Sequence, residues 1–153
     1  MADFYIPRTL IRDRGQDNEA VLTEADIPLI KAPIVILGDP GLGKTQLTKT
    51  LEVRYGFKRV SAGTFYRMQN YAALQTAPDG KLIIDGLDEI TSSSGISAID
   101  EVLRKLSELH SPNFILSCAL QIGKDRQIVT KLAKTTVPSR SLFISSPLLL
   151  KTP

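Results

Sequence analysis

The chain has 153 residues, of which 42% are hydrophobic and 23% charged, with a formal net charge of +3. This length and composition fit one globular domain and exclude collagen-like, coiled-coil and largely disordered proteins. The single cysteine, Cys118, cannot form an intramolecular disulfide, which fits a reducing compartment. A membrane-spanning helix needs about 20 apolar residues, and no apolar run in the sequence is that long. The first residues lack the pattern of a signal peptide. We therefore expect a cytoplasmic protein without a membrane partner.

The positive charge is unevenly distributed along the chain. Residues 1–118 carry 13 Lys and Arg against 15 Asp and Glu, whereas residues 119–153 carry 6 against one acid, Asp125. The basic pI near 9.1 would normally raise the question of nucleic-acid binding. Because the whole excess lies in the last 35 residues, we infer no specific nucleic-acid partner from it.

The strongest motif lies in the first third of the chain. Residues 34–37 form a short β-branched run that is typical of a buried parallel strand. The string Gly38-Asp-Pro-Gly-Leu-Gly-Lys44-Thr45 then fits the phosphate-loop pattern G-x-x-x-x-G-K-[ST]. Residues 46–55 show helical spacing, and Gly56 provides a helix stop. The strand, loop and helix that this motif requires are therefore all predicted.

A glycine-rich loop at a helix N-terminus binds phosphate because its N–H groups and the helix dipole face the anion. We predict that Lys44 contacts the β- and γ-phosphates and that the Thr45 hydroxyl ligates Mg²⁺. The residues predicted to bind the nucleotide are Gly38, Asp39, Pro40, Gly41, Leu42, Gly43, Lys44 and Thr45. The alternative is a Gly- and Pro-rich turn that matches by chance, which the flanking elements disfavour.

A second, acidic motif follows further along the chain. Residues 82–84 are predicted to form another buried strand, with Asp85 at its carboxyl end. Ligands bind beyond the carboxyl ends of parallel strands, so Asp85 is predicted to hold Mg²⁺ through water, opposite Thr45. Glu89 is the first candidate for orienting the attacking water, and Asp88 is the second. The alternative is a polar turn, with Glu89 a solvated acid in a first helical turn.

The string Leu82-Ile-Ile-Asp-Gly-Leu-Asp-Glu89 resembles the acidic motif of NACHT-type NTPases, within the STAND branch of P-loop ATPases. The resemblance covers about residues 30–118. It implies an ATP-driven, Mg²⁺-dependent switch module of signalling or antiviral-defence proteins, with protein partners reached through sensor and effector domains. GTP is disfavoured because the sequence has no Asn-Lys-x-Asp motif. AAA+ ATPases usually place Glu directly after the strand-end Asp, where this chain has Gly86.

The remaining pattern alternates strands and helices, which predicts an α/β layered domain. The predicted elements are a strand at 57–60, a helix at 64–71, a loop at 92–95, a helix with apolar positions from 96 to 109, and a strand at 113–118. Asp100, Glu101, Arg104, Lys105 and Glu108 are assigned to the solvated face of the long helix.

The resemblance gives two further expectations. In this NTPase class the strand between the phosphate-loop strand and the acidic strand ends in a polar sensor, and Ser117 occupies that position. Cys118 beside it is expected to be a small buried residue. Residues 4–8 resemble the segment that lies over adenine, with a frayed terminal segment as the alternative.

The last segment, residues 119–153, lacks coherent amphipathic patterning and follows Ser117-Cys118-Ala119, where bacterial relatives often have Ser-Cys-Arg. Restoring one base after the Cys118 codon permits Ser-Cys-Arg and a later Trp. We hypothesise that a one-base deletion places this basic tail out of frame, the alternative being a divergent in-frame segment. A fifth strand, a helical lid and a winged-helix region are accordingly expected to be absent.

Together these observations predict a P-loop NTPase three-layer α/β sandwich with a mostly parallel sheet, incomplete at its C-terminus. Residues 1–29 lead into the core, residues 30–118 form it, and residues 119–153 are the tail. The predicted function is an ATP-binding NACHT-like module, with Asp85 and Thr45 on the metal. The alternatives are an AAA+-type ATPase and a non-functional truncated remnant.

Overall fold

A computed structural model of the protein describes residues 9–12, 17, 20–31, 33–38, 43–74, 80–95, 97–109, 113–119 and 140–144. The strands are β1 (Thr9–Arg12), β2 (Ala20–Thr23), β3 (Ile34–Gly38), β4 (Lys58–Ser61), β5 (Leu82–Asp85), β6 (Phe114–Ala119) and β7 (Arg140–Ile144). The α-helices are α1 (Lys44–Tyr55), α2 (Ala62–Arg67), α3 (Leu87–Ser94) and α4 (Ser97–Glu108), and 3-10 helices lie at Glu24–Leu29 and Ala72–Leu74. Within these ranges no helix is long and apolar enough to cross a membrane.

The strands form one sheet in the order β2-β1-β7-β3-β6-β5-β4. From β7 to β4 every neighbouring pair is parallel, and β1 runs antiparallel to both β2 and β7. Every residue of β3, β5 and β6 is buried, as expected for parallel strands covered by helices on both faces. The predicted α/β fold with a mostly parallel sheet is confirmed.

Two apolar clusters on opposite faces of the sheet make the three layers. One cluster joins β3, β5 and β6 to Leu47 and Leu51 of α1. The other joins the alternate side chains of the same strands to α2, α3 and α4, with Phe65, Leu87 and Val102 as members. Because side chains alternate between the two faces of a strand, each buried strand contributes to both clusters. The helices therefore cover both faces of the parallel strands.

Strand β6 lies between β3 and β5, which is the placement implied by the resemblance. The register sets Gly38 opposite Ala119 and Ser61 opposite Asp85. The carboxyl ends of these parallel strands therefore meet at one edge of the sheet, where ligands bind in open α/β proteins. Cys118 is buried in β6, as predicted.

Helix α3 is longer than the sequence pattern indicated. The predicted loop at 92–95 is wrong up to Ser94, because α3 continues to that residue before Gly95. Serine often favours caps and turns, but Ser93 donates its hydroxyl to the carbonyl of Glu89 at 3.1 Å, so the hydroxyl is satisfied within the helix. The helix predicted at 64–71 instead spans Ala62–Arg67, where Ser61 accepts a capping hydrogen bond from the Thr64 amide.

The expectation of no fifth parallel strand is also wrong. Strand β7 pairs with β3, with Ile34 opposite Arg140 and Leu37 opposite Phe143. The outer edge of β3 is therefore occupied, and β1 pairs antiparallel with the far side of β7. The interpretation of residues 119–153 as out of frame stays a prediction.

Lys105 does not lie on the solvated face of α4, to which its sequence position assigned it. Its side chain is buried, with 4% of the residue exposed. The amine donates to the carbonyls of Phe65, Tyr66 and Met68 at 2.9, 2.7 and 2.6 Å. The last carbonyls of a helix have no partner within it, so a cation placed at the end of α2 satisfies them. Lys105 therefore joins α4 to the end of α2.

We predict that Lys105→Met lowers the free energy of unfolding by about 2 kcal/mol, because buried carbonyls lose their donor. Methionine is similar to lysine in aliphatic length, but its side chain cannot donate a hydrogen bond. Urea denaturation measures the change. The control is Arg104→Gln on the same helix, where Arg104 forms an exposed ion pair with Glu101 and contributes little. Equal effects of the two substitutions would contradict the role given to Lys105.

Candidate functional site

Lys44 bridges the two ends of the predicted phosphate loop. Strand β3 ends at Gly38 and α1 begins at Lys44, after Gly43 in the left-handed conformation at φ 83°. The Lys44 amine donates to the carbonyl of Gly38 at 2.8 Å. The first turn of α1 therefore follows the loop directly, so its N-terminus can provide N–H groups and dipole to an anion.

Asp39, Pro40, Gly41 and Leu42, and the residues 4–8 assigned to adenine, lie outside the described part of the chain. Thr45 is described, and it is exposed on the first turn of α1.

Asp85 is the centre of the polar contacts at the carboxyl edge of the sheet. The residue ends β5 and is only 6% exposed. Its Oδ2 lies 3.1 Å from the Thr48 hydroxyl and 2.6 Å from Nη2 of Arg59, and its Oδ1 accepts a hydrogen bond from Ser117. One carboxylate thus contacts α1, β4 and β6. The helix that begins with Lys44 and the strand of the acidic motif are brought together at Asp85.

Thr48 has two acceptors within reach. Its hydroxyl lies 2.9 Å from the carbonyl of Thr45 and 3.1 Å from Asp85, and it accepts a hydrogen bond from Nε of Arg59 at 3.0 Å. A hydroxyl has one hydrogen to donate, so Thr48 serves one of the two acceptors at a time. Sequence analysis did not select Thr48, because the phosphate-loop pattern ends at Thr45.

The pKa of Asp85 lies below its usual value. Burial on its own raises the pKa, but the hydrogen bonds from Ser117 and Arg59, the charge of Arg59 and the Thr48 hydrogen bond together lower it. Hydrogen bonds to the charged form and an adjacent cation both favour ionisation. Asp85 is therefore an anion at neutral pH.

Ser117 connects the acidic strand to the helix that follows it. Its hydroxyl donates to Oδ1 of Asp85 and accepts the backbone N–H of Gly86 at 3.1 Å. A polar residue in β6, two positions before the strand ends, therefore contacts both sides of the turn after β5. This is the position that the resemblance assigns to a sensor.

The backbone conformation at position 86 favours glycine. It adopts φ 85°, and a Cβ at this position would lie 3.2 Å from Cδ of Glu89. A left-handed conformation is costly for other residues. The chain turns at Gly86 into α3, and the exposed carboxylate of Glu89 lies back over this turn, close to the end of β5.

Asp88 has a different environment from Glu89. Its Oδ1 accepts the backbone N–H of Ala119 at 2.9 Å, so it joins the first turn of α3 to the end of β6. Glu89 is exposed, whereas Asp88 is half-buried. Of the two acids considered for orienting the attacking water, Asp88 is fixed by a hydrogen bond and Glu89 faces solvent.

Arg59 is a second functional candidate that sequence analysis missed. It lies in β4, one strand away from Asp85, and forms an ion pair with it at 2.6 Å. The available signal was an arginine in the middle of a short predicted strand, since a charge in a sheet that is covered by helices requires a partner. The sequence alone did not indicate which acid was that partner.

The donor chemistry around Asp85 fits a water-mediated metal site. An ionised carboxylate offers about four acceptor positions, and Thr48, Arg59 and Ser117 occupy three. Among the described residues, at least one position is left for a hydrogen bond from metal-bound water. Mg²⁺ commonly keeps several waters and binds through few carboxylates.

Comparison with known proteins finds weak similarities to solved structures. No family model matches the chain, and no curated protein matches it. Among solved structures, a DNA replication initiation factor has 16% identity and a TM-score of 0.48, over 80% of this chain and 42% of that one. PCH-2 of C. elegans has 18% identity and a TM-score of 0.39, over 72% and 35%. The chain spans less than half of either structure, and we draw no argument from similarities this weak.

The sheet itself defines the class of fold. The described residues combine a buried strand followed by α1, a parallel sheet in the order β7-β3-β6-β5-β4, and helices on both faces. This is a P-loop NTPase-like α/β fold.

We predict that Asp85→Asn lowers the free energy of unfolding by about 2 kcal/mol at pH 7, because Arg59 loses its anion. A carboxyl with a lowered folded-state pKa contributes stability above its unfolded value, about 4, and loses it as pH falls through the folded value. The difference in the free energy of unfolding between wild type and Asp85→Asn should therefore become smaller below about pH 4. Urea denaturation between pH 7 and pH 3 measures it, and a difference that is independent of pH would contradict this account.

Proposed function

We propose that the chain is an ATP-binding module of the P-loop NTPase class that uses Mg²⁺. The observation that carries the proposal is the contact between Asp85 and Thr48, whose Oδ2 and Oγ1 atoms lie 3.1 Å apart. This contact joins the acidic strand to the helix that starts at Lys44. Two motifs that are far apart in the sequence therefore share one edge of the sheet.

Each residue has a distinct part in the proposed site. The loop from Gly38 to Thr45 and the N-terminus of α1 would bind the phosphates, with Lys44 providing a positive charge. Thr45 and Asp85 would hold Mg²⁺, which neutralises phosphate charge when bound. Glu89 would orient the attacking water, because its carboxylate is exposed beside the turn after β5.

Asp88 is assigned a positioning role in this scheme. Its hydrogen bond from Ala119 fixes the start of α3 relative to β6. Because Glu89 is the next residue, Asp88 sets the position from which the Glu89 carboxylate extends. Ser117 would sense the occupied site through its contact with Asp85.

The finer proposal is a NACHT-like module of a STAND protein, in signalling or antiviral defence. It is supported by the acidic motif and by the conformation of Gly86. A glutamate at this position, directly after Asp85, would strain the backbone. Protein partners reached through sensor and effector domains belong to the same proposal.

An AAA+-type ATPase is the second candidate, and the contact of Ser117 on strand β6 with Asp85 is compatible with both candidates. It predicts a ring oligomer and an arginine contributed by a neighbouring subunit. Mass measurement by light scattering with a non-hydrolysable ATP analogue separates the candidates, since only the AAA+ proposal requires a ring.

We predict that Lys44→Ala weakens ATP·Mg²⁺ binding at least about tenfold, because a desolvated charge contact with phosphate is lost. Isothermal titration calorimetry measures the dissociation constant. The matched control is Lys49→Ala, which removes an exposed lysine from the same helix and should leave binding within about twofold. If wild type and Lys44→Ala bind equally, the phosphate-loop assignment is wrong. If wild type does not bind, the non-functional remnant is supported.

We predict that Glu89→Gln lowers the rate of ATP hydrolysis at least about tenfold, since positioned acid–base groups contribute about 10²–10⁴-fold. ATP affinity should change by less than about twofold, because Glu89 is not assigned a phosphate contact. Asp88→Ala should instead lower the midpoint of thermal unfolding, because it removes the acceptor of the Ala119 N–H. Phosphate release and calorimetry on the same preparations test both statements. A hydrolysis rate unchanged in Glu89→Gln would remove this residue from the mechanism.

A further inference from the structure

Arg59 contacts two groups that belong to the proposed metal edge. Its Nη2 lies 2.6 Å from Oδ2 of Asp85, and its Nε donates to the Thr48 hydroxyl at 3.0 Å. The planar guanidinium therefore bridges β5 and α1 with two separate donors. The arginine side chain is 20% exposed, against 7% for the Asp85 side chain.

The ion pair satisfies a charge that the fold would otherwise leave buried. A carboxylate as buried as Asp85 is costly without a partner, and Arg59 is the cation that contacts it among the described residues. With Arg59 in place, the negative charge of Asp85 is already offset. A divalent cation held near Asp85 is then repelled by the guanidinium that is already paired with the same carboxylate.

We propose that Arg59 is a positioning residue and a resident counter-ion of Asp85, against which Mg²⁺ competes. The inference rests on the proposed function, because it assigns Asp85 to the metal. In the nucleotide-free protein Arg59 orients and stabilises the carboxylate. In the nucleotide-bound protein the same charge raises the Mg²⁺ concentration that the site requires.

The test measures how much Mg²⁺ the nucleotide-bound protein requires. Wild type, Arg59→Gln and the exposed-site control Arg104→Gln are held in saturating ADP, and thermal unfolding is followed as MgCl₂ is added. ADP avoids turnover, so the measurement does not depend on activity. Removal of one positive charge beside the site should lower the half-saturating Mg²⁺ concentration about tenfold. Arg104→Gln should leave it within about twofold.

Two further variants separate charge from packing. Arg59→Lys keeps the charge and loses the double contact, so its Mg²⁺ midpoint should stay close to that of wild type. Arg59→Met keeps the aliphatic packing without charge, and it replaces Arg59→Gln if that variant does not fold. A neutral variant with an unchanged or higher Mg²⁺ midpoint would overturn the inference.

The ion pair itself is tested without nucleotide, in EDTA. Arg59→Gln should lower the midpoint of thermal unfolding by about 4 °C in the wild-type background, and by less than half as much in an Asp85→Asn background. Equal losses in both backgrounds would overturn the counter-ion role. If wild type shows no ADP binding, the proposed function fails and the competition with Mg²⁺ fails with it. If wild type binds ADP and the Mg²⁺ midpoint is insensitive to Arg59, only the inference fails.

Discussion

The negative charge of Asp85 has to be satisfied in a place that water hardly reaches, and the local architecture follows from that requirement. A buried carboxylate is tolerated only where several donors converge on it. Here the donors come from three different elements, through Thr48 of α1, Arg59 of β4 and Ser117 of β6. Each element is held at the correct distance by the apolar clusters on the two sheet faces. The polar contacts and the hydrophobic packing therefore require the same strand order.

The second half of the site depends on backbone turns. Gly86 reverses the chain after β5 in a conformation that few residues adopt, and its N–H is bound by Ser117. This turn brings Asp88 within hydrogen-bond distance of Ala119, the last residue of β6, and leaves Glu89 exposed. Adjacent acids thus acquire different surroundings, one bound to a backbone amide and one facing solvent. A helix start can in this way divide structural and chemical tasks between neighbouring residues.

Sequence patterns predicted the features that depend on neighbouring residues. The buried strands, the presence of α1 and the position of Asp85 at a strand end follow from local runs and motif spacing, and the polar residue at Ser117 was implied by the family resemblance. Arg59 and Lys105 were not predicted, because their partners lie on other elements and a charged residue looks the same in sequence whether it faces solvent or a carbonyl. Strand β7 was missed because its segment lacks alternation, and its pairing with β3 is established only across the folded sheet. The roles of Glu89 and Thr45 are chemical assignments that the fold permits.

Strand β7 also constrains the order in which the chain can fold. It is the strand that joins the antiparallel pair β1 and β2 to the parallel part of the described sheet. During synthesis β1 and β2 therefore leave the ribosome well before β7, the strand on which β1 docks. The pairing of β1 with β7 must wait until β7 is available, and closing a contact between segments so distant in sequence is slow. Until β7 is made, β1 has an unpaired edge, and such an edge can mispair with another nascent chain.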